Sequence, residues 1–154
     1  MATGLPHRSK RCAFCLIQLC NRLNSTATAA IRQPFVTQKG YPMNFRQIDA
    51  NIAVAPQILA DDIGDIAAAG FKSIICNRPD GESADQVPYA DIESAALAAG
   101  IPIRSIPVVS GAITIDNVRD MKSALADLPK PVFAYCRSGA RCTNLYAMVL
   151  ALDA

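Results

Sequence analysis

The chain has 154 residues, 51% of them apolar, which is enough material for one domain with its own core. Its formal charge of +2 combines a basic segment, residues 1–42, with a remainder of nine basic and thirteen acidic residues. An acidic remainder argues against nucleic-acid binding by the folded part. The apolar run CAFCLIQLC is far shorter than the roughly 20 residues of a membrane helix, so we expect no membrane partner either.

Residues 1–42 hold six Lys and Arg and no Asp or Glu, and their composition differs from everything that follows. Three interpretations stay open, in this order: translation starts at Met43, the segment is disordered, or it is a targeting signal. The sequence therefore predicts a basic leader over 1–42 and one domain over 43–154.

The six cysteines predict free thiols in a reducing compartment, because three lie in the leader and the others are widely separated. We expect a cytoplasmic protein, although the leader leaves targeting open. Cys12 and Cys15 have the spacing of half a zinc site, but His7 is the only histidine and no second pair exists. Neither a metal nor a cofactor is expected.

The first half of the domain predicts a hairpin, a helix and a strand. The run FRQIDANIAVA reads as two short strands about Asp49 and Ala50, with Ile52 and Val54 facing inward. In LADDIGDIAAAG, helical spacing places three apolar residues on one face, namely Leu59, Ile63 and Ile66, and Gly70 ends the helix. KSIIC is a buried strand that leads into the loop NRPDGES.

The second half predicts three helices and two strands. A helix lined by Tyr89, Ile92 and Ala96 stops at Gly100, and IPIRSIPVV is a short or edge strand because of its prolines. The next helix has Thr114 as its N-cap and an apolar stripe of Val118, Met121, Leu125 and Leu128. After the strand PVFAY, the last helix places four apolar residues at helical spacing, namely Leu145, Met148, Val149 and Leu152.

This alternation predicts an α/β fold with a mostly parallel sheet flanked by helices. Ligands bind such sheets at the carboxyl ends of the strands. Three loops are expected at that edge, namely 77–83, 109–114 and 136–141, and one pocket can use all three.

The stretch AYCRSGARC, residues 134–142, carries the chemistry. A strand that ends at Cys136 and leads through a short loop into a helix surrounds the thiol with backbone N–H groups and a helix N-terminus, which favour a thiolate. The oxyanion-binding residues expected beside it are Arg137, Ser138, Gly139 and Ala140, and Arg141 offers bidentate donors. This pattern predicts covalent catalysis on a phosphate or a sulfur anion. Alternatively, Cys136 is an ordinary buried cysteine and Arg141 a surface charge.

CRSGAR is similar to the active loops of cysteine phosphatases and rhodanese sulfurtransferases. With MNFRQIDANIAVAPQI, ICNRPDGE and IPVVSGAIT, residues 43–152 resemble the phosphatase-like domain of the beta-lactamase hydrolase-like proteins, which are also described as sulfur transferases. The resemblance implies a dual-specificity-phosphatase-like fold, with Cys136 as nucleophile and Arg141 as oxyanion binder. Some relatives are fused to a metallo-hydrolase or a persulfide dioxygenase, which implies such an enzyme as a partner.

The chain departs from the phosphatase pattern in ways that bear on the reaction. Tyr135 replaces the usual His, and the Arg comes five residues after the Cys rather than six, as suits a rhodanese loop. The general acid that a phosphatase needs is missing from VVSGAIT. Asp116 and Asp80 are the candidates for it, although the favoured explanations are that Asp116 is a first-turn helix residue and Asp80 a turn former. Arg78 and Glu82 are candidates for the pocket rim.

Three functions therefore remain under consideration. The first is a cysteine-dependent hydrolase that acts on a small anionic phosphate ester through a Cys136 intermediate. The second is a sulfurtransferase that carries a Cys136 persulfide, and the third is a non-catalytic anion-binding module. Cys142, where related proteins commonly have a hydroxyl residue, is either a small buried side chain or a resolving thiol for oxidised Cys136.

Overall fold

The computed structural model describes residues 43–152. The strands are β1 (Arg46–Gln47), β2 (Ile52–Ala55), β3 (Ser73–Cys76), β4 (Ile103–Ser105) and β5 (Val132–Tyr135). The helices are α1 (Ile63–Ala68), α2 (Tyr89–Ala98), α3 (Ile115–Asp127) and α4 (Ala140–Leu152), and a 3-10 turn, Ala60–Asp62, precedes α1. The expected leader, with its Cys12 and Cys15 pair, lies outside the described residues. Within the described part, no helix is long and apolar enough to span a bilayer.

The strands form one sheet in the order β1-β2-β5-β3-β4. Only β1 runs antiparallel, as the first arm of the predicted hairpin, and every other neighbouring pair is parallel. This confirms the predicted α/β class. Strand β5 lies in the centre, where Ala134 pairs with both Val54 and Ile75. The residue after β5, Cys136, is therefore delivered to the middle of the sheet edge, with strands on both sides.

Two helices cover each face of the sheet. Alternate residues of a strand point to opposite faces, so a strand with apolar residues throughout has two apolar faces to bury. On one face, Ile52, Val54 and Ala134 pack in a cluster with residues of α3 and α4. On the other, Ala53, Phe133 and their neighbours pack with residues of α1 and α2. The runs IAVA and VFAY are buried along their whole length, as strands covered on both sides must be.

Two of the predicted apolar faces were partly wrong. Leu59 is 54% exposed because it precedes the helical segment in an extended conformation, so helical spacing does not apply to it. In α4, Met148 and Leu152 are exposed and the buried stripe includes Cys142 and Tyr146. The Tyr146 hydroxyl bonds the Asp49 carboxylate in the hairpin, which allows a polar side chain to occupy the inner face.

The remaining elements follow the sequence prediction. Strand β4 is short and lies at the sheet edge, as its prolines indicated. Thr114 caps α3 by accepting a hydrogen bond from the Asn117 N–H, and the predicted stripe from Val118 to Leu125 is buried. One boundary differs at the key loop. Helix α4 begins at Ala140, so Arg141 and Cys142 lie in its first turn rather than in a loop.

Candidate active site

The segment between β5 and α4 is tethered to the end of β2. The Cys136 N–H donates to the Ala55 carbonyl at 3.3 Å, and the Gln57 N–H donates to the Arg137 carbonyl at 3.4 Å. Gly139 has a φ of 84°, and a Cβ added to it would lie 3.4 Å from the Ala55 carbonyl oxygen. Glycine suits this turn because it adopts positive φ without strain.

Backbone N–H groups converge on the Cys136 sulfur, which is completely buried. The Gly139 N–H donates to Sγ at 3.1 Å. The backbone N–H groups of Cys142, Ser138 and Arg141 also stabilise the ionised form of this sulfur and lower its pKa. We call these four amides the sulfur cradle. Of the four residues predicted to bind an oxyanion, Ser138 and Gly139 contribute to the cradle, whereas no described contact joins Arg137 or Ala140 to the sulfur.

The cradle favours the thiolate of Cys136. A hydrogen bond from the Cys142 side chain, followed by those from the backbone, outweighs burial and lowers the pKa of Cys136 to about 5. Burial, with the hydrogen bond and charge of Cys136, raises the pKa of Cys142 well above its ordinary value. Cys142 therefore stays protonated and donates while Cys136 is ionised. A thiolate at neutral pH is the form that acts as a nucleophile.

Arg141 is held by two groups from other loops. Its Nη1 donates to the Val108 carbonyl and its Nη2 donates to Glu82 Oε2, both at 2.7 Å. Val108 directly precedes the predicted loop 109–114, and Glu82 belongs to the loop 77–83. The three predicted regions thus meet at Arg141. A guanidinium carries five N–H donors, so three remain for an anion.

Glu82 lies between two guanidinium groups. Arg78 Nε donates to the same Oε2 at 3.0 Å, so one carboxylate oxygen bridges Arg78 and Arg141. The hydrogen bond from Arg141 is the largest cause that lowers the pKa of Glu82. Arg78, predicted at the pocket rim, is instead buried and also bonds Gln57 and Ser83. Arg78 therefore helps to hold the Glu82 carboxylate in position.

The two candidate acids have other contacts in this structure. Asp116 lies in the first turn of α3, where its carboxylate is exposed and pairs with Arg119 at 3.2 Å. Asp80 accepts a hydrogen bond from the Tyr89 N–H at 2.9 Å and so caps the start of α2. No described hydrogen bond joins either residue to the sulfur cradle or to Arg141. A role for them as general acid stays a prediction.

Sequence reasoning missed the residues that hold Arg141 and Arg78 in place. Asn77 accepts from the Val108 N–H at 3.2 Å and donates from its side chain to the Ile106 carbonyl at 3.1 Å, which fixes the Val108 carbonyl. Gln57 follows the carboxyl end of β2, which runs parallel to β5. That shared direction is the signal that would have found Gln57, because β2 ends at the same sheet edge.

Residues 44–153 match the model of a known family, the phosphatase-like domain of the beta-lactamase hydrolase-like protein. The chain belongs to this family. The resemblance seen in the sequence is thereby confirmed, and the domain is phosphatase-like.

Similar proteins come from several bacteria. The chain is 39% identical over 107 residues to a beta-lactamase hydrolase-like protein of Agrobacterium fabrum, which covers 70% of this chain and 25% of that protein. A protein of the same name from Xylella fastidiosa is 32% identical over 111 residues, or 72% of this chain and 26% of the relative. The chain thus spans about a quarter of the length of these relatives.

Solved structures support the same fold. A candidate phosphatase from Neisseria meningitidis is 33% identical and superposes with a TM-score of 0.65, over 70% of this chain and 76% of its own. A candidate phosphatase from Shewanella putrefaciens has a TM-score of 0.61 at 19% identity, over 68% and 66% of the two chains, and shares the fold. The phosphatase-like fold implied by the resemblance is confirmed.

Proposed function

We propose that the domain hydrolyses a small phosphate ester through a covalent intermediate on Cys136. The Cys136 thiolate attacks phosphorus, the P–O bond to the leaving group breaks, and the leaving oxygen takes up a proton from solvent water. Water then attacks the phosphocysteine, releases inorganic phosphate and restores the thiolate. The observation that carries the proposal is the Gly139 N–H aimed at Cys136 Sγ at 3.1 Å, within a cradle of four amides.

Arg141 has the role of binding the anion. Its guanidinium is buried in the first turn of α4, adjacent in sequence to the cradle amide of Cys142, and the remaining donors suit the oxygens of a phosphoryl group. Glu82 and the Val108 carbonyl keep the group in one orientation before substrate arrives. Such preorganisation is what stabilises charge in a transition state.

Sulfur transfer is the second candidate, and the state of Glu82 favours it. Glu82 is the carboxylate bonded to Arg141, and its lowered pKa keeps it ionised and unable to donate a proton. Sulfur transfer from thiosulfate needs no proton for its leaving group. The Cys136 thiolate attacks the outer sulfur, the S–S bond breaks, sulfite leaves, and a persulfide remains on Cys136.

Parallel assays of the full chain on an aryl phosphate and on thiosulfate with cyanide separate the candidates. An aryl phosphate is suitable because its leaving group departs with little help from an acid. Turnover of the aryl phosphate that is lost in Cys136→Ser supports hydrolysis. A cyanide-labile persulfide on Cys136 supports sulfur transfer instead. If neither turns over while sulfate raises the melting temperature, the third candidate, an anion-binding module, is correct.

A metallo-hydrolase or persulfide dioxygenase partner remains a proposal from the fused relatives. Mixing the chain with such an enzyme and measuring a change in either assay tests it.

A further inference from the structure

A cleft of about 430 Å³ adjoins the Cys136 loop on its β2 side. It is lined by the loop itself, residues 137–140, and by Val54 and Ala55 of β2, which are buried. Residues 44–46, at the start of the domain, also line it. Ser138 and Gly139 belong both to this lining and to the sulfur cradle, so the cleft adjoins the reacting site.

Two arginines line the cleft, Arg46 and Arg137. Both are exposed, and within the described residues neither forms a direct ion pair with a carboxylate, although the Asp85 carboxylate attracts Arg137 at longer range. This differs from Arg78 and Arg141, which share the Glu82 carboxylate. Glu82 therefore offsets one of the two charges of the inner pair, whereas no carboxylate within the described residues forms an ion pair with the outer pair.

Arginines are concentrated at this end of the sheet, beside the carboxylates of Glu82 and Asp85, although the domain as a whole is acidic. Residues 43–154 carry nine basic and thirteen acidic residues, yet four of the nine lie around the loop, namely Arg46, Arg78, Arg137 and Arg141. One phosphoryl group needs the cradle and Arg141. The two guanidiniums in the adjoining cleft are therefore not required to bind that phosphoryl group.

The position of Arg46 is fixed rather than random. It belongs to β1, paired opposite Val54, and its Nη2 donates to the Thr143 hydroxyl at 2.9 Å. That hydroxyl in turn donates to the Gly139 carbonyl at 3.0 Å. A chain of hydrogen bonds therefore links the Arg46 guanidinium to the loop, which lowers the entropic cost of placing its charge.

We infer that Arg46 and Arg137 form a second anion subsite and that the substrate carries a further acidic group, a carboxylate or a phosphate, beyond the one that reacts. The inference rests on the proposed function, because it assigns the substrate class of the same site. The reacting phosphoryl group binds in the cradle with Arg141, and the second acid binds to the two guanidiniums in the cleft. Apolar residues also line the cleft, namely Phe45, Val54 and Pro56, so the part of the substrate that connects its two acidic groups can be apolar.

Calorimetry with non-hydrolysable phosphonates tests this, using the full chain with Cys136→Ser to prevent turnover. The probes are benzylphosphonate and its 3-carboxy and 4-carboxy derivatives, which add a carboxylate at two distances. We expect at least one carboxy derivative to bind about fivefold tighter than benzylphosphonate at low salt, and this advantage to shrink at high salt.

Variants then assign the effect to the subsite. Arg46→Gln is expected to remove most of the carboxylate's advantage, and Arg46→Lys to restore part of it. Arg119→Gln, which removes an exposed arginine on α3, is the matched control and leaves the ratio of affinities unchanged. Equal binding of all three probes, or an Arg46→Gln ratio equal to that of the parent, overturns the subsite alone. If no phosphonate binds, the proposed phosphate chemistry itself fails and the subsite with it.

Discussion

A hydrogen bond of 2.7 Å joins Arg141 Nη2 to Glu82 Oε2, although the two residues are 59 positions apart in the sequence. The bond places a negative group beside the guanidinium that is proposed to bind substrate oxygens. The bond contributes by orienting the Arg141 guanidinium, because the Glu82 carboxylate itself repels an anionic substrate.

Glu82→Gln is therefore expected to lower turnover of the preferred substrate by about tenfold or more, because Arg141 loses its fixed direction. Glu93→Gln is the control, since that half-buried carboxylate accepts a hydrogen bond from the Tyr89 hydroxyl within α2 and not from Arg141. A double-mutant cycle separates positioning from general damage. In an Arg141→Ala background, Glu82→Gln is expected to have little further effect. An undiminished effect there would contradict the positioning role.

The ionisation of Cys136 is expected to depend on Cys142. With a pKa of about 5, Cys136 is a thiolate above that pH and becomes protonated, and therefore unreactive, as the pH falls through it. Removing the donor in Cys142→Ala raises the pKa toward the ordinary cysteine value. The ultraviolet absorbance of the thiolate measures this, as the difference between each protein and its Cys136→Ser counterpart.

Cys76→Ala provides the control for that titration. Cys76 is a buried thiol at the end of β3 whose sulfur bonds the Arg78 carbonyl rather than Cys136. Its loss is expected to leave the Cys136 midpoint almost unchanged. If Cys142→Ala and Cys76→Ala titrate alike, the hydrogen bond from Cys142 is not the cause of the shift.

Gly139→Ala is expected to damage both stability and the site. The backbone has a φ of 84°, so the free energy of unfolding falls by about 1 kcal/mol, and the new Cβ makes an ordinary van der Waals contact with the Ala55 carbonyl at 3.4 Å. Gly100→Ala has a similar φ of 73° with open space around the Cβ, and is expected to cost about 1 kcal/mol from backbone strain alone. Urea unfolding gives both values. Only Gly139→Ala should also raise the pKa of Cys136, and a change in both variants would refute a local effect.

Mild peroxide is expected to join Cys136 to Cys142. The Cys136 thiolate attacks one peroxide oxygen and becomes a sulfenic acid as hydroxide leaves. Oxidation removes the Cys136 charge that helps to raise the pKa of Cys142, so Cys142 gives up its proton as its sulfur attacks Cys136. The S–O bond breaks, the hydroxide leaves with that proton as water, and a disulfide forms. Peptide mapping should find the linked peptides, lighter by two hydrogens, and reduction should restore both thiols. Cys142→Ser should instead accumulate Cys136 sulfinic acid. Sulfinic Cys136 beside reduced Cys142 in the parent protein would reject the resolving role.

Some parts of the site were predictable from the sequence because they are local. The strand before Cys136, Gly139 and the helix that follows are neighbours along the chain, so their spacing already predicted a thiol surrounded by amides. The α4 stripe was partly wrong for a physical reason. The polar groups of Tyr146 and Cys142 can be buried because Asp49 bonds the tyrosine hydroxyl and Cys136 bonds the Cys142 thiol. Helical spacing alone does not reveal these partners.

The sequence by itself determined the alternation of strands and helices and the ring of amides at Cys136, since both follow from the periodicity and the short-range geometry of a continuous segment. Tertiary structure alone decided which carboxylate holds Arg141, that Arg78 is buried behind it, and that Arg46 reaches the loop through Thr143. These contacts join residues from separate strands and loops. Their partners are set by the order and direction of strands in the sheet, which local patterns do not encode.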